Sequence, residues 1–198
     1  MHPTVVLLLE MEQQPGYHST GRSAAQFTKL YGNAAIRALV RLSESFLLSP
    51  PQGFSDAPIL TPRGAMFVGE KSQNAALDEL KNTASQEKCR VRELSVEDAL
   101  KIVPVLKPKA FDRAILESES MDIDVHALHG GFLRKFARQG GDFICDAEVL
   151  EMQRVNNLWR VRTKTFSFES PIVVNAAGAW GDVIAHRGGV HQMGLTPK

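Results

Sequence analysis

This 198-residue sequence has little cysteine, no long apolar run near its start and almost no excess of positive or negative charge. Its two cysteines, Cys89 and Cys145, are too few for a disulfide framework and lack zinc-ligand spacing, which favours a reducing compartment. Lys plus Arg number 23 and Asp plus Glu 22, a balance that argues against nucleic-acid and membrane-surface partners. The first apolar run, Val5–Leu9, is too short for a transmembrane helix or a signal peptide. These absences predict a cytoplasmic protein without a transmembrane segment.

Apolar runs without polar alternation predict a parallel sheet in the outer parts of the chain. The run Val5–Leu9 is the first, Phe143–Cys145 the second and Ile172–Val174 the third. Each is typical of a strand that is buried on both faces. Three helices are predicted between these strands: one through Ala24–Leu30, one after an Asn33 cap, and one from an Asp124 cap to Gly140-Gly141.

A break at Ser49-Pro50-Pro51 opens a middle segment with its own pattern. After that segment, Val149–Val155 and Leu158–Lys164 flank an Asn-Asn turn, which predicts a hairpin with Phe166–Phe168 as a further strand. The order predicts an α/β nucleotide-binding sheet with a β-meander crossover and an inserted α/β lobe. In the middle segment we predict strands at Ile59–Leu60, Met66–Val68 and Arg113–Ser118, and helices around Ala75–Leu80 and after a Ser95 cap.

Glu10 ends the first predicted strand. An acid at this point can accept hydrogen bonds from both hydroxyls of an adenosine ribose. Acids that simply end a strand are common in open α/β sheets, so Glu10 alone favours that interpretation. The glycine-rich phosphate turn that accompanies a ribose acid lies about 20 residues before it. Only nine residues precede Glu10, and no G-x-G-x-x-G occurs anywhere in the chain.

His126 and His129 lie three residues apart on a predicted helix, beside Asp122 and Asp124. This spacing can direct two ligands to one metal ion, but no third ligand matches it, and an ordinary helix face is the better explanation of the pair. We therefore predict no metal site. No Ser-His-Asp or Cys-His arrangement stands out, and the catalytic residues stay unassigned.

Several blocks along the whole chain resemble the D-amino-acid oxidase and glycine oxidase superfamily of FAD-dependent enzymes, and look most like bacterial D-arginine dehydrogenases. The blocks follow each other in the order that the family has. Their number and order are far more specific than a lone glycine pattern. They are Leu9–Ala25, Pro62-Arg63-Gly64, Ile102–Leu106, Asp122-Ile123-Asp124 and Val174–Trp180.

The resemblance implies that residues 1–46 and 122–198 form a Rossmann-like FAD-binding domain and that residues 47–121 form part of a substrate-binding lobe. The implied reaction is oxidative deamination of a D-amino acid, in which a hydride passes from Cα to flavin N5 and the imino acid then hydrolyses. The electron acceptor stays open. The alternatives are an N-methyl-amino-acid or glycine oxidase, which shares these blocks, and a non-catalytic fragment without a bound cofactor.

The resemblance also assigns roles to single residues. The loop Ser19–Ala25 would wrap the pyrophosphate and flavin, because small residues let backbone N–H groups approach phosphate. Val149 would meet the adenine edge with its backbone, and Gly178 would allow the cofactor a close approach. Arg22 is either a phosphate partner or part of a loop ion pair, and Trp180 either contacts FAD or packs in the core. The implied cofactor residues are Glu10, Met11, Ser19, Thr20, Gly21, Arg22, Ser23, Ala24, Ala25, Gln26, Val149, Gly178 and Trp180.

Two positions on the substrate side depart from the family pattern. Gln26 and Tyr31 resemble positions near the flavin and the substrate, but another member of the family has His in place of Gln26. Relatives that select basic D-amino acids have a carboxylate at the position of Ala65, where it pairs with the substrate cation. Ala65 has no charge, so a neutral or apolar amino acid is at least as good a candidate substrate.

Parts of the family's site have no counterpart in these residues. The resemblance puts the glycine-rich phosphate turn before them, and it puts the arginine that clamps the substrate carboxylate after them. We therefore expect a fragment, truncated at both ends, that binds FAD poorly and turns over no amino acid by itself.

Overall fold

Short strands and helices alternate along the computed structural model, which describes residues 6–195. They group into two compact units, one of Met1–Ser19 with Lys135–Lys198 and one of Thr20–Arg134. The helices are α1 (Ala34–Leu48), α2 (Asn74–Gln86), α3 (Val96–Ile102), α4 (Val125–Arg138) and α5 (Gly181–Arg187). The strands are β1 (Leu7–Leu9), β2 (Gln26–Phe27), β3 (Leu60–Pro62), β4 (Ala65–Gly69), β5 (Val91–Leu94), β6 (Arg113–Glu117), β7 (Met121–Ile123), β8 (Asp142–Ile144), β9 (Glu151–Val155), β10 (Leu158–Arg162) and β11 (Ser167–Ser170).

The first unit contains a parallel strand pair and a meander. β1 pairs in parallel with β8, with Leu8 opposite Phe143, as the two apolar runs predicted. The predicted start of the first strand at Val5 lies outside the described residues. The meander has the order β9-β10-β11. Asn156 and Asn157 have φ of 48° and 65°, the left-handed pair that a two-residue hairpin turn requires, so the predicted hairpin is confirmed.

The second unit contains two three-stranded antiparallel sheets, with the orders β2-β7-β3 and β4-β6-β5. The predicted strands around residues 60 and 67 are both present, but they belong to different sheets, because β3 pairs with β7 and β4 with β6. The apolar side chains of α1, β2 and β3 share one core, which includes Phe27, Leu47, Ile59 and Leu60.

Three helices begin at the caps that the sequence predicts. Asn33 accepts a hydrogen bond from the Ile36 N–H, and Ser95 accepts one from the Asp98 N–H. At the start of α4, the Asp124 carboxylate accepts from the Ala127 N–H at 2.8 Å. The same helix ends at Arg138, and Gly140, two residues later, has a left-handed φ of 85°. The Gly140 and Gly141 N–H groups turn back to the carbonyls of the last turn, which closes the helix as predicted.

An aromatic cluster of Phe46, Phe54 and Phe132 joins α1 and α4 within the second unit. The ring centroids of these residues are 5.0–5.7 Å apart, and Phe54 is only 4% exposed. Gly131 lies against Phe54 so closely that a Cβ on this glycine would stand 2.4 Å from the ring. The absence of a side chain at Gly131 is therefore what lets the ring reach the helix.

A buried carboxylate, Glu117, lies at the end of β6 and is 1% exposed. The Thr28 hydroxyl donates to one of its oxygens at 2.7 Å, and the Cys89 thiol donates to the other at 3.5 Å. Burial, together with the charge of Glu117, raises the pKa of the Cys89 thiol to about 12. This thiol therefore stays protonated and is a structural donor rather than a nucleophile.

The predicted helix through Ala24–Leu30 is wrong. Ala25 has a left-handed φ of 54°, which ends any helix, and Gln26 begins β2. The Ile123 N–H donates to the Ala25 carbonyl at 2.7 Å, so pairing with β7 takes the hydrogen bonds that a helix would have made locally. Phe27 and Leu30 are both buried, as their helical spacing suggested, but a strand and a turn bury them.

The predicted strand at Ile172–Val174 is also wrong. These residues form no ladder with any described strand, and Ile172 and Val174 are 74% and 80% exposed. The Ser170 hydroxyl donates to the Ile172 carbonyl at 2.8 Å, which satisfies that carbonyl locally. The apolar side chains alone predicted a buried strand here, but no strand within residues 6–195 pairs with this segment.

The two compact units divide the chain at other places than the predicted domains. Residues 20–46 and 122–134 belong to the same unit as residues 47–121. The reason is that β2 and β3 both pair with β7, which ties the chain around residue 26 to the middle segment. The assignment of cofactor-binding and substrate-binding roles to the predicted ranges stays a prediction. Within residues 6–195, no helix is both long and apolar enough to cross a bilayer.

Candidate functional site

A cleft of about 550 Å³ opens in the first unit, beside the carboxyl ends of β1 and β8. Ligands of open α/β sheets bind at this end of parallel strands. The wall is mostly polar, with two carboxylates and one ammonium group. Its lining residues are Met11, Gln13, Asp146, Glu148, Leu150, Lys164 and Thr165.

Glu10 is held rigidly next to this cleft. Its N–H donates to the Ile144 carbonyl at 2.9 Å, and its own carbonyl accepts from the Ala147 N–H at 2.9 Å. Its carboxylate accepts from the Glu12 N–H at 3.0 Å through one oxygen. Glu10 does not itself line the cleft, but Met11, the next residue, does. The backbone ladder therefore fixes a half-buried acid at the strand end, as the sequence predicted.

Val149 lies in an irregular segment between β8 and β9, and its neighbours Glu148 and Leu150 line the cleft. The carbonyl of Val149 accepts a hydrogen bond from the guanidinium of Arg187, which also pairs with Glu148 at 2.9 Å. The cleft wall is therefore tied to the end of α5.

The turn Gly178–Trp180 opens α5 in the same unit. Gly178 has a φ of 54°, and no atom lies within 4 Å of a Cβ built on it. Glycine is thus needed here for backbone conformation, and the space beside it is open. The Trp180 ring packs on His18, with centroids 4.5 Å apart, and His18 Nε2 is 2.7 Å from a Glu12 oxygen. The role of Trp180 toward a cofactor stays a prediction.

The predicted phosphate loop is exposed from Ser19 to Ala24, and the division between the compact units follows Ser19. The Ser23 hydroxyl accepts from the Ala25 N–H at 3.0 Å, which stabilises the left-handed turn. The predicted cofactor residues that fall in the second unit are Thr20, Gly21, Arg22, Ser23, Ala24, Ala25 and Gln26, and those in the first are Glu10, Met11, Ser19, Val149, Gly178 and Trp180.

The predicted substrate-side residues all lie in the second unit. The Gln26 amide donates to the Ser120 hydroxyl at 2.8 Å, and Ser120, which is fully buried, donates to the Phe27 carbonyl at 3.1 Å. Tyr31 is 74% exposed. Ala65 is half-buried and lies opposite Glu117 in the ladder of β4 and β6. The structure fixes the orientation of Gln26 and leaves Tyr31 open to solvent.

The acids beside the two histidines have other partners. Asp124 caps α4, and Asp122 pairs with Arg63 at 2.7 Å. Among the described residues, no group of three or more His, Cys, Asp or Glu side chains is placed to hold a metal ion.

Most residues that line the cleft were not predicted from the sequence. Gln13, Asp146 and the pair Lys164-Thr165 come from three separate loops, and only their meeting beside β1 distinguishes them from ordinary surface residues. Arg187 was missed for the same reason, since it reaches the segment around Val149 across 38 residues. A basic residue in the last turn of a helix is already explained by its favourable interaction with the helix dipole, so the sequence carried no sign of a contact with Val149.

The Asp182 carboxylate anchors the segment that follows α5. It accepts from the N–H groups of Met193, Gly194 and Leu195 at 2.8, 2.6 and 2.7 Å. The hydrogen bond from Met193, with those from Leu195 and Gly194, holds the pKa of Asp182 below its usual value. A lowered pKa means that this contribution is present above the unfolded-state pKa and is lost as the pH falls through the folded-state value.

We therefore expect acid, or the substitution Asp182→Asn, to release residues 193–195. The amide proton shifts of these three residues should move together as the pH falls below about 4. In Asp182→Asn they should take the released values at neutral pH. Asp56→Asn, on an exposed loop, is the control and should change none of them. Unchanged amide shifts in Asp182→Asn would contradict the anchor.

Comparison with known proteins supplies the family. The model of the DAO family, described as FAD dependent oxidoreductase, matches residues 2–197. Among solved structures, the chain is similar to an L-α-glycerophosphate oxidase from Mycoplasma pneumoniae with FAD bound, with a TM-score of 0.77 and 18% identity over 93% of this chain and 50% of that one. It is similar to a glycine oxidase from Geobacillus kaustophilus, with a TM-score of 0.78 and 17% identity over 92% of this chain and 51% of that one. It is also similar to an L-proline dehydrogenase from P. horikoshii, with a TM-score of 0.70 and 18% identity over 93% of this chain and 55% of that one.

The chain thus spans about half the length of these solved structures. At such identities the likeness shows the fold, and it confirms the predicted α/β class. The three enzymes are named for three different substrates, so the fold alone does not select one.

Proposed function

The chain belongs to the DAO family of FAD-dependent oxidoreductases, and from this premise we propose that it forms part of an enzyme that oxidises an amino acid at its CH–NH2 group. We further propose that the substrate is a D-amino acid and that the cleft in the first unit takes the adenosine end of FAD. When bound, FAD would supply the hydride acceptor for the substrate Cα–H.

One observation carries the cofactor proposal: an acid fixed at the end of a parallel strand, next to a cleft. The ladder of β1 and β8 holds Glu10 beside the cleft, and its carboxylate has a described partner on only one oxygen. The second oxygen suits a ribose hydroxyl, which is a donor. The cleft volume of about 550 Å³ is in the range of small-molecule sites. The residues present therefore fit an adenosine group.

Gly178 and the exposed loop that begins at Ser19 support the same proposal. The loop is rich in hydroxyl and small side chains, which suits contact with phosphate oxygens. The space beside Gly178 is open and would admit a ligand without displacing a side chain. We propose that Gly178 admits the cofactor beyond its ribose and, as a separate proposal, that the loop binds phosphate.

The test uses adenosine, which has the adenine and ribose of FAD but no phosphate and so does not depend on a glycine-rich turn. Adenosine is titrated into the isotopically labelled chain and the amide shifts are followed by NMR. We expect saturable shifts at Met11, Val149 and Leu150. Glu10→Gln should weaken adenosine roughly tenfold, because hydrogen bonds to a charged acceptor are the stronger ones.

Glu169→Gln provides the matched control, since this acid lies on the exposed strand β11, where it pairs with Arg160. Its affinity for adenosine should equal that of the wild type. Linear, non-saturable shifts, or a response centred outside the cleft, would rule out the adenosine site. A saturable response that Glu10→Gln leaves unchanged would remove Glu10 from it.

Ala65 leads to an expectation about the substrate side chain. A cationic substrate needs a carboxylate to offset its desolvation, and Ala65 has none. Glu117 lies opposite Ala65, but it is 1% exposed and both its oxygens have donors. In a flavin-loaded form of the protein, extended where needed to the length of its relatives, kcat/KM for D-methionine should exceed that for D-arginine at least about tenfold.

Ala65→Glu should reverse this preference, and Val68→Glu, at an exposed position of the same strand, should not. Glycine and an N-methyl amino acid are measured alongside. Faster turnover of either would favour the oxidase alternative over a D-amino-acid dehydrogenase. A high kcat/KM for D-arginine in the wild type would contradict the role of Ala65.

A further inference from the structure

Arg187 stands in the last turn of α5 and reaches the wall of the cleft. One Nη atom donates to the Val149 carbonyl, and the other donates to a carboxylate oxygen of Glu148 at 2.9 Å. We propose that Arg187 is a positioning residue that fixes the backbone of Val149 for recognition of adenine. This inference rests on the proposed function, in which the cleft takes the adenosine end of FAD.

The segment that Arg187 holds has no regular structure of its own. Its start is fixed by the Ala147 N–H, which donates to the Glu10 carbonyl at 2.9 Å. Its end is fixed by the Leu150 N–H, which donates to the Arg162 carbonyl at 2.8 Å. Between these two points lie Glu148 and Val149, and Arg187 binds both. The guanidinium therefore contacts the two residues that separate these backbone hydrogen bonds.

An arginine is suited to this task and a lysine is not. The planar guanidinium presents two donors in a fixed geometry, so it can bind a carbonyl and a carboxylate at once, whereas an ammonium group acts as a point charge. A carbonyl has two lone pairs, so the contact with Arg187 leaves one for the exocyclic amine of adenine. The pairing with Glu148 also neutralises one of the acids that line the cleft, which reduces repulsion of a nearby phosphate.

The experiment compares Arg187→Lys with the wild-type chain by two measurements, adenosine affinity and amide exchange at Ala147 and Leu150. We expect Arg187→Lys to weaken adenosine roughly tenfold and to speed exchange at both amides. Arg160→Lys is the control, because Arg160 also binds a carboxylate through two nitrogens in the same unit but lies on the meander, paired with Glu169. It should change neither quantity.

If the wild-type chain binds no adenosine, the proposed function of the cleft fails and this inference fails with it. If the wild type binds adenosine and Arg187→Lys binds it equally well, the positioning role alone is overturned, even if the variant is less stable.

Discussion

A polypeptide of these 198 residues is expected to bind FAD weakly and to turn over no amino acid. Dinucleotide pyrophosphates are held by N–H groups of a glycine-rich turn and of the helix behind it, and the sequence contains no G-x-G-x-x-G. Hydrogen bonds to charged groups contribute roughly 1.5–3 kcal/mol each, so the absence of three or four weakens binding by at least about three orders of magnitude.

Flavin fluorescence on titration with FAD measures the binding, and reduction of an artificial acceptor dye with a panel of D-amino acids measures turnover. Adenosine is the internal control, because it probes the cleft without a pyrophosphate. We expect the chain to bind adenosine, and we expect its affinity for FAD to be little higher than its affinity for adenosine. A micromolar Kd for FAD with amino-acid-dependent dye reduction would mean that the chain builds a phosphate site from residues other than a glycine-rich turn.

Gly131→Ala is expected to destabilise the second unit by about 1–3 kcal/mol, the usual cost of overpacking a core. The new Cβ would stand 2.4–2.7 Å from three ring atoms of Phe54. That ring is 4% exposed and is packed against Phe46 and Phe132, so it has no free space into which to move. Urea unfolding followed by circular dichroism measures the loss of free energy of unfolding.

Gly130→Ala, one residue earlier in α4, is the matched control. A Cβ there would meet only the guanidinium of Arg134, with Nη1 at 3.0 Å and Cζ at 3.9 Å, while the other nitrogen of this group donates to the Phe54 carbonyl at 2.9 Å. A shift of a few tenths of an ångström in this side chain relieves the contact. Because alanine is the better helix former, this variant should lie between no change and a gain of about 1 kcal/mol. Phe54→Leu combined with Gly131→Ala should cost less than the sum of the two single substitutions. Equal stability of Gly130→Ala and Gly131→Ala would contradict the tight contact.

The features that the sequence predicts well are those with a local cause. Asn33, Ser95 and Asp124 cap helices through atoms within three residues of themselves, and Asn156-Asn157 sets its hairpin through its own φ angles. Hydrogen bonds of this range depend little on the rest of the fold, so the residue type carries the information.

The errors arise where distant segments compete with local preference. Residues 24–30 have a helical apolar pattern, but pairing with β7 draws Gln26 and Phe27 into a strand. Ile172–Val174 has strand composition but finds no ladder among residues 6–195. The region of the cleft shows both situations. The position of Glu10 at a strand end could be predicted because it follows an apolar run, whereas Lys164 and Arg187 reach their positions only through tertiary structure. Sequence reasoning thus finds the acid at the strand end but not the wall beside it.

The parallel pair of β1 and β8 has a consequence for synthesis of the chain. β1 is made early, but its partner β8 begins only at Asp142, after the whole second unit. At 5–20 residues per second, the apolar residues Leu7–Leu9 emerge on the order of ten seconds before their partner strand exists. Closing so long a loop is also entropically costly, which makes this a late contact. During that interval Leu7–Leu9 lack their pairing with β8, which makes this apolar strand a candidate for binding by a ribosome-associated chaperone.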